Sequence, residues 1–223
     1  DRLNPAVVRP LIVRRLKTEV IKADGSRFVQ RQIVPLDVEP YRSKEERWLD
    51  RGLRGYTNQL RLRARQLSAA GERNRAMGAS FLETFLRKRL ASSVYALQQS
   101  LYNRLHVVQG QALPIEPEDA TDDISQQALA AEVDLLPNGK SEEEVLRDLI
   151  QRAERIPEGT EAKVKGVLDL LERQLRGTAE KIIIFTEFLD TLTMLEQVLA
   201  NSPWAGQVVT YHGQTPADKR DAV

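Results

Sequence analysis

The sequence predicts a mostly α-helical chain that ends in the first strands of a parallel α/β sheet. Between residues 44 and 105, leucine and aromatic residues recur at helical spacing. Near the end, residues 182–185 form a short β-branched run typical of a strand buried on both faces. An amphipathic stretch to Leu199 and a second apolar run at 208–211 follow. This strand–helix–strand unit normally continues into further parallel strands, so we expect the chain to be part of a longer protein.

Composition narrows the functional classes. The chain has 223 residues, 41% hydrophobic and 29% charged, an ordinary balance for a globular protein. No apolar run is long enough for a membrane span, so we expect no membrane partner and a cytoplasmic or nucleoid location. Two His far apart and no Cys predict no metal site.

Charge is divided unevenly between the halves. Residues 1–105 hold 22 Lys and Arg against 10 Asp and Glu, whereas residues 106–223 hold 11 against 22. This asymmetry favours nucleic acid or an acidic partner for the first half. The alternative is that the two halves face each other.

Turn, breaker and capping residues predict the helices and strands in chain order. We expect a short helix over 7–20, a turn at 24–25 and a strand over 28–38, which Pro40 ends. Ser43 caps a long helix, and Gly71 and Gly78 mark a weak point before a second helix. Ser92 and Ser93 cap a third, which packs through leucines 97, 101 and 105.

The sequence predicts a linker after the third helix. Residues 110–140 are rich in Pro and acidic residues. Ser141 with Glu144 predicts a capping box for a helix to about Arg155. A further helix over 161–175 leads to the strand at 181.

One face of the long helix forms an arginine ridge opposite its leucines. Only Asp50 lies near the ridge in the helical pattern, so these charges would repel one another unless solvent, acidic neighbours or phosphates compensate them. The planar guanidinium suits phosphate, although a solvated surface is an equal alternative. The second helix adds a basic cluster, and the predicted DNA-binding side chains are Arg47, Arg51, Arg54, Arg61, Arg65, Arg87, Lys88 and Arg89.

Two segments resemble Swi/Snf-type superfamily 2 ATPases. Residues 14–20 (RRLKTEV) with 39–41 (EPY) resemble the end of the first motor lobe. Residues 181–188 (KIIIFTEF), 211–213 (YHG) and Arg220 look like the start of the second, RecA-like lobe. The tract 85–93 is similar to one in bacterial Swi/Snf-like helicases, including those of DISARM-type anti-phage defence systems. The matches cover about a third of the chain.

The resemblance implies a domain organisation. Residues 1–40 would close the first lobe, 41–108 would form a basic helical insertion and 109–140 an acidic linker. Residues 141–178 would lead into the second lobe, which begins at 179–223.

The resemblance also implies a function, an ATP-driven translocase or helicase that grips duplex DNA. The longer protein would use ATP and Mg²⁺, but this chain has no phosphate-binding Gly-x-x-x-x-Gly-Lys-Ser/Thr loop. We therefore expect it to bind no nucleotide, to contain no catalytic residue and to be inactive alone. Positions matching the family's inter-lobe and nucleic-acid segments are Arg14, Arg15, Lys17, Thr186, His212 and Gly213. Thr186 could equally cap a helix.

Two other interpretations remain open. The insertion could dock a protein subunit of a defence or transcription complex through its arginines. Alternatively, acidic residues 116–144 could cover the basic helix and inhibit DNA binding.

Overall fold

The protein is described by a computed structural model covering residues 25, 33–111, 130, 140–213 and 215. The chain divides into two units, 1–36 and 37–223. In the first, Gly25 lies in a bend with φ of 80°, as a turn requires, and residues 33–36 are irregular and exposed. The predicted helix over 7–20 and residues Arg14, Arg15 and Lys17 lie outside the described residues.

The described part of the second unit is mainly helical. A short 3₁₀ turn at Glu39–Tyr41 precedes six helices: α1 Lys44–Ala69, α2 Arg73–Ser92, α3 Val94–Val108, α4 Glu142–Glu154, α5 Ala162–Leu175 and α6 Leu189–Ala200. The prediction of a mostly helical fold is therefore confirmed for the residues that the structure describes. Within the described residues, no helix combines the length and hydropathy needed to cross a membrane.

Helix starts follow their caps. The Ser43 hydroxyl accepts from the Glu46 amide, and Glu46 accepts from the Ser43 amide, which confirms the cap of α1. Ser141 and Glu144 form the predicted box at α4. Ser93 caps α3 through the Ala96 amide. Gly71, with φ of 83°, separates α1 from α2.

The expectation for Gly78 is wrong, because Gly78 lies inside α2 rather than at the break. Helix packing outweighs the weak propensity of a single glycine. On the core-facing side of this part of α2, Ala76, Ala79 and Leu82 are buried.

Four helices, α1 to α4, share one apolar core. Helix α1 packs against α2 and α4, and α3 packs against α2 and α4. The fully buried side chains in this core include Leu49, Leu53, Leu60, Leu82, Leu86, Leu97, Leu101, Leu146 and Leu149. Gly52 lets α1 approach α4 closely, since a Cβ there would lie 3.0 Å from a methyl carbon of Leu149.

A buried ion pair lies inside this apolar core. Arg104 is 2% exposed and Glu142 is 6% exposed. Arg104 Nε and Nη2 donate to the two Glu142 oxygens at 2.8 and 3.1 Å, and the Tyr56 hydroxyl donates to Glu142 Oε1 at 2.5 Å. Burial, and then the nearby Glu142 carboxylate, raise the pKa of Tyr56 well above its ordinary value. The three side chains join α3, α4 and α1.

The segments predicted as strands remain unpaired in the described chain. Residues 181–186 and 208–212 are irregular, and Ile183 and Phe185 are 77% and 90% exposed. A buried parallel strand needs a neighbouring strand on each side, and the described residues supply none. The sheet therefore stays a prediction. In the described part of 28–38, residues 33–38, the expected strand is also absent.

Removing one partner of the buried pair should destabilise the protein strongly. Arg104→Met leaves a buried carboxylate without its cation, so we expect a loss of about 3–5 kcal/mol in the free energy of unfolding. Urea denaturation followed by circular dichroism measures this. The Arg104→Met/Glu142→Leu double variant should recover more than half of the loss, and a cost under about 1 kcal/mol for the single variant would contradict this role.

Candidate nucleic-acid interface

The predicted arginine ridge lies on the exposed side of α1. The Ser43 cap fixes where the helix starts, and the buried leucines hold its other side against the core. This orientation places the ridge arginines in solvent, with Arg47, Arg51, Arg54, Arg61 and Arg65 all exposed.

Three ridge arginines have acidic partners. Arg47 pairs with Glu39 at 3.1 Å, Arg54 with Asp50 at 2.8 Å, and Arg61 with Glu83. Of the compensating groups that the sequence left open, acidic neighbours are therefore present for these three arginines. Glu39 comes from the 3₁₀ turn and Glu83 from α2, so neither appears in the helical pattern of α1.

The other two ridge arginines make no ion pair with a described residue. Arg51 and Arg65 are exposed, and so is Lys44, a third unpaired cation on this helix that the sequence analysis missed. These three positions are separated by 7 and 14 residues, so they fall within about 60° of one another around a helix of 3.6 residues per turn. We call Lys44, Arg51 and Arg65 the open row.

The basic cluster of α2 separates into different environments. Arg87 contacts Glu83 at 3.2 Å and the Thr57 hydroxyl at 3.2 Å. Lys88 meets Glu187 at 3.3 Å, with both side chains more than half exposed, so solvent screens this pair.

Arg89 is buried. It binds the Asp190 carboxylate and the Ser100 hydroxyl, and its guanidinium lies 4.5 Å from the ring centre of Phe188. A guanidinium in this position is not accessible to a nucleic-acid phosphate, so Arg89 is not part of the candidate interface.

The positions suggested by the family resemblance lie elsewhere in the chain. The Thr186 hydroxyl lies 3.5 Å from Ser92 Oγ and accepts from the Phe188 amide at 3.4 Å. Phe188 is the N-cap of α6, and no side chain caps this helix, so Thr186 is not its cap. The His212 amide donates to the Thr215 hydroxyl. Gly213 is exposed, and a Cβ there would meet nothing within 4 Å.

A cavity of about 770 Å³ lies beside the ridge. The N-termini of α1, α3 and α5 all reach it through residues such as Glu46, Val94 and Ala162. Its cationic lining consists of Arg42, Arg54, Arg87 and Lys163, and its acidic lining consists of Glu39, Glu46, Asp50 and Glu161.

Two carboxylates in the cavity connect the helix starts. Ala162 N donates to Glu46 Oε1 at 2.8 Å, and Val94 N donates to Glu161 Oε2 at 2.5 Å. Glu161 is 4% exposed, and its Oε1 has no hydrogen-bond partner among the described residues. Burial raises the pKa of Glu161 from 4.5 to about 7, and the same burial lowers the pKa of Lys163.

Comparison with known proteins identifies no relative. No family model, no curated protein and no solved structure matches the chain.

The buried Glu161 predicts a pH-dependent stability. The Glu161 carboxyl holds its proton more tightly in the folded state than in the unfolded chain. The free energy of unfolding should therefore fall as pH rises from about 4.5 to about 7. Above about pH 7, Glu161 should contribute little further change. We expect about 1–3 kcal/mol from this residue. In Glu161→Gln, this part of the fall in the free energy of unfolding with pH should be absent. Urea denaturation at pH 5, 6, 7 and 8 measures it.

Glu158→Gln is the matched control, since Glu158 is an exposed acid three residues earlier. Its stability should follow the wild-type pH profile. Parallel profiles for Glu161→Gln and wild type would contradict the raised pKa.

Proposed function

We propose that this chain is the inter-lobe part of a Swi/Snf-type DNA-dependent ATPase and that its helical insertion binds the backbone of duplex DNA. The open row of Lys44, Arg51 and Arg65 carries the DNA-binding part of this proposal. These three exposed cations on one helix face make no ion pair with a described acidic residue. Each is therefore available to a phosphate oxygen.

The length of the row suits a duplex. Lys44 and Arg65 are 21 residues apart, which at 1.5 Å per residue is about 31 Å along the helix axis. One turn of duplex DNA measures about 34 Å. Because α1 is a continuous helix held by the core, its charges are fixed along a line rather than spread over a mobile loop.

The chemistry of the row favours recognition without sequence preference. Arg and Lys side chains contact phosphate oxygens, which carry no base information. The paired arginines, Arg47, Arg54 and Arg61, add positive potential, although their carboxylate partners reduce it.

The exposed apolar residues near the end of the chain could form strands in the sheet of a second motor lobe. Ile183 and Phe185 in one segment, and Val209 and Tyr211 in the next, are largely exposed. Helices packed on both faces of a RecA-like sheet would cover them. ATP and Mg²⁺ would then bind to parts of the longer protein that carry the phosphate loop, and hydrolysis would occur there.

Replacing the open arginines should weaken duplex binding. We expect Arg51→Gln/Arg65→Gln to lower affinity for a 20-base-pair duplex several-fold at about 100 mM salt. The slope of log K against log salt should fall by about 1.8, because each lost phosphate contact removes about 0.9. Fluorescence anisotropy across a salt series, with duplex and single-stranded DNA, measures both.

The control removes the same charge from paired positions on the same helix. Arg47→Gln/Arg54→Gln should change the slope by less, since these guanidinium groups already contact Glu39 and Asp50. Equal effects of the two double variants would refute the open row, and absence of duplex binding at low salt would refute the DNA-binding proposal.

A protein-docking function is the second candidate, and two exposed side chains on α2 favour it. Met77 and Phe81 are 68% and 40% exposed and stand one helical turn apart. Exposed apolar pairs on a helix are common anchors for a partner groove.

Met77→Ser/Phe81→Ser tests this candidate. If α2 docks a protein, the variant should lose more than about tenfold in affinity for that subunit in a reconstituted complex, because the buried apolar area is lost, while duplex binding should not change. Isothermal titration calorimetry measures the affinity for the subunit, and fluorescence anisotropy measures duplex binding. Unchanged subunit affinity would remove this surface as a docking site.

A further inference from the structure

The cavity beside α1 brings together three helix N-termini. Helices α1, α3 and α5 begin at Lys44, Val94 and Ala162, and residues from the first turn of each line the same space. Each helix start carries a partial positive charge and amide groups that face an anion favourably. Helix starts alone do not make a site, because side chains can satisfy those amides.

Most acidic groups around the cavity are already engaged. Asp50 binds Arg42 and Arg54, and Glu46 accepts from the amides of Ser43 and Ala162. Glu161 differs, since only its Oε2 accepts a hydrogen bond while the buried Oε1 has no partner among the described residues. A buried polar atom without a partner is costly, so this oxygen would gain from a hydrogen bond to a ligand in the cavity.

Lys163 supplies a second unsatisfied charge in the same space. It is half-buried, lines the cavity two residues after Glu161 and makes no ion pair with a described residue. It also lines a second cavity of about 400 Å³, which shares Ala91, Glu161 and Lys163 with the first. A partly buried ammonium group that makes no ion pair would gain from a bound anion.

We propose that this cavity is an anion site for a phosphate group, in which Lys163 is the cation that binds it and the protonated Glu161 carboxyl donates a hydrogen bond through Oε1. Ionised Glu161 would repel the anion, so binding should be stronger at acidic than at alkaline pH. The site shares no residue with the open row.

Several charged groups surround Glu161 and set its response to pH. Glu46 on α1 disfavours its ionisation, whereas Lys163 on α5 favours it. Other titratable or charged residues lining the cavities that Glu161 shares are Glu39, Arg42, Asp50, Arg54, Arg87, Lys88, Tyr95, Glu158 and Glu187. A negative neighbour and strong burial keep the carboxyl neutral at mildly acidic pH, which permits an anion beside it.

Inorganic sulfate is the probe, because it has the tetrahedral shape of phosphate and its charge stays constant between pH 6 and pH 8. In isothermal titration calorimetry at constant ionic strength, wild-type protein should bind sulfate at least fivefold more tightly at pH 6 than at pH 8. Glu161→Gln should show equal affinity at both pH values. Amide shifts of Val94 and Ala162 in NMR spectra would locate the ion.

Lys163→Gln should weaken sulfate binding at pH 6 by at least fivefold, and Lys163→Arg should retain it. Lys165→Gln is the matched control, since Lys165 is an exposed lysine on the same helix. Equal affinity of Lys163→Gln and Lys165→Gln would overturn the proposal. Absence of binding to wild type at pH 6 with 20 mM sulfate would also overturn it, whatever the duplex affinity.

A competition experiment distinguishes the two sources of a phosphate group. If the DNA backbone supplies it, sulfate should displace a short duplex more effectively than chloride of equal ionic strength, and Lys163→Gln should abolish that difference. If a small free phosphate supplies it, inorganic phosphate should bind at Lys163 equally well with duplex present. Either result supports the site. Duplex binding that is lost in Arg51→Gln/Arg65→Gln but kept in Lys163→Gln would show that the anion site and the open row act separately.

Discussion

The buried contact between Arg104 and Glu142 determines how the helical core is assembled. Two charges removed from water are tolerated only when each finds its counterpart in good geometry. The bidentate pair and the Tyr56 hydroxyl meet that condition only if α1, α3 and α4 adopt one relative arrangement. Apolar contacts between the surrounding leucines are non-directional, whereas these hydrogen bonds are directional. The exposed row of α1 therefore depends on an interaction on the opposite side of the helix.

A second constraint acts where helices begin. Glu46 belongs to the capping box of α1 and also accepts from the first amide of α5, while Glu161 accepts from the first amide of α3. Each carboxylate joins one element to the start of another, so helix capping here is a tertiary contact. The cavity beside α1 is the space that remains between these bridged ends.

Local signals predicted much of the helical fold. Ser43 with Glu46 and Ser141 with Glu144 marked two helix starts correctly, since a capping box involves residues only three positions apart. Partners distant in sequence were not predictable. Glu39 and Glu83 neutralise ridge arginines from neighbouring elements, and Arg104 meets Glu142 across 38 positions. Glu161 resembled an ordinary acid at a helix start, and only its burial reveals the unpartnered oxygen. Residues 182–185 have a strand's composition, but pairing requires neighbours that the described chain does not supply.

The corner between α2 and α3 also contacts the start of α6. Arg89 on α2 contacts Ser100 on α3 and Asp190 on α6, and the Ser92 and Ser93 hydroxyls both reach Thr191. If α6 separated, Arg89 would lose the Asp190 carboxylate and the ring of Phe188, and Thr191 would leave both serine hydroxyls. The start of α6 is therefore joined to the α2–α3 corner by polar side chains rather than by an apolar core.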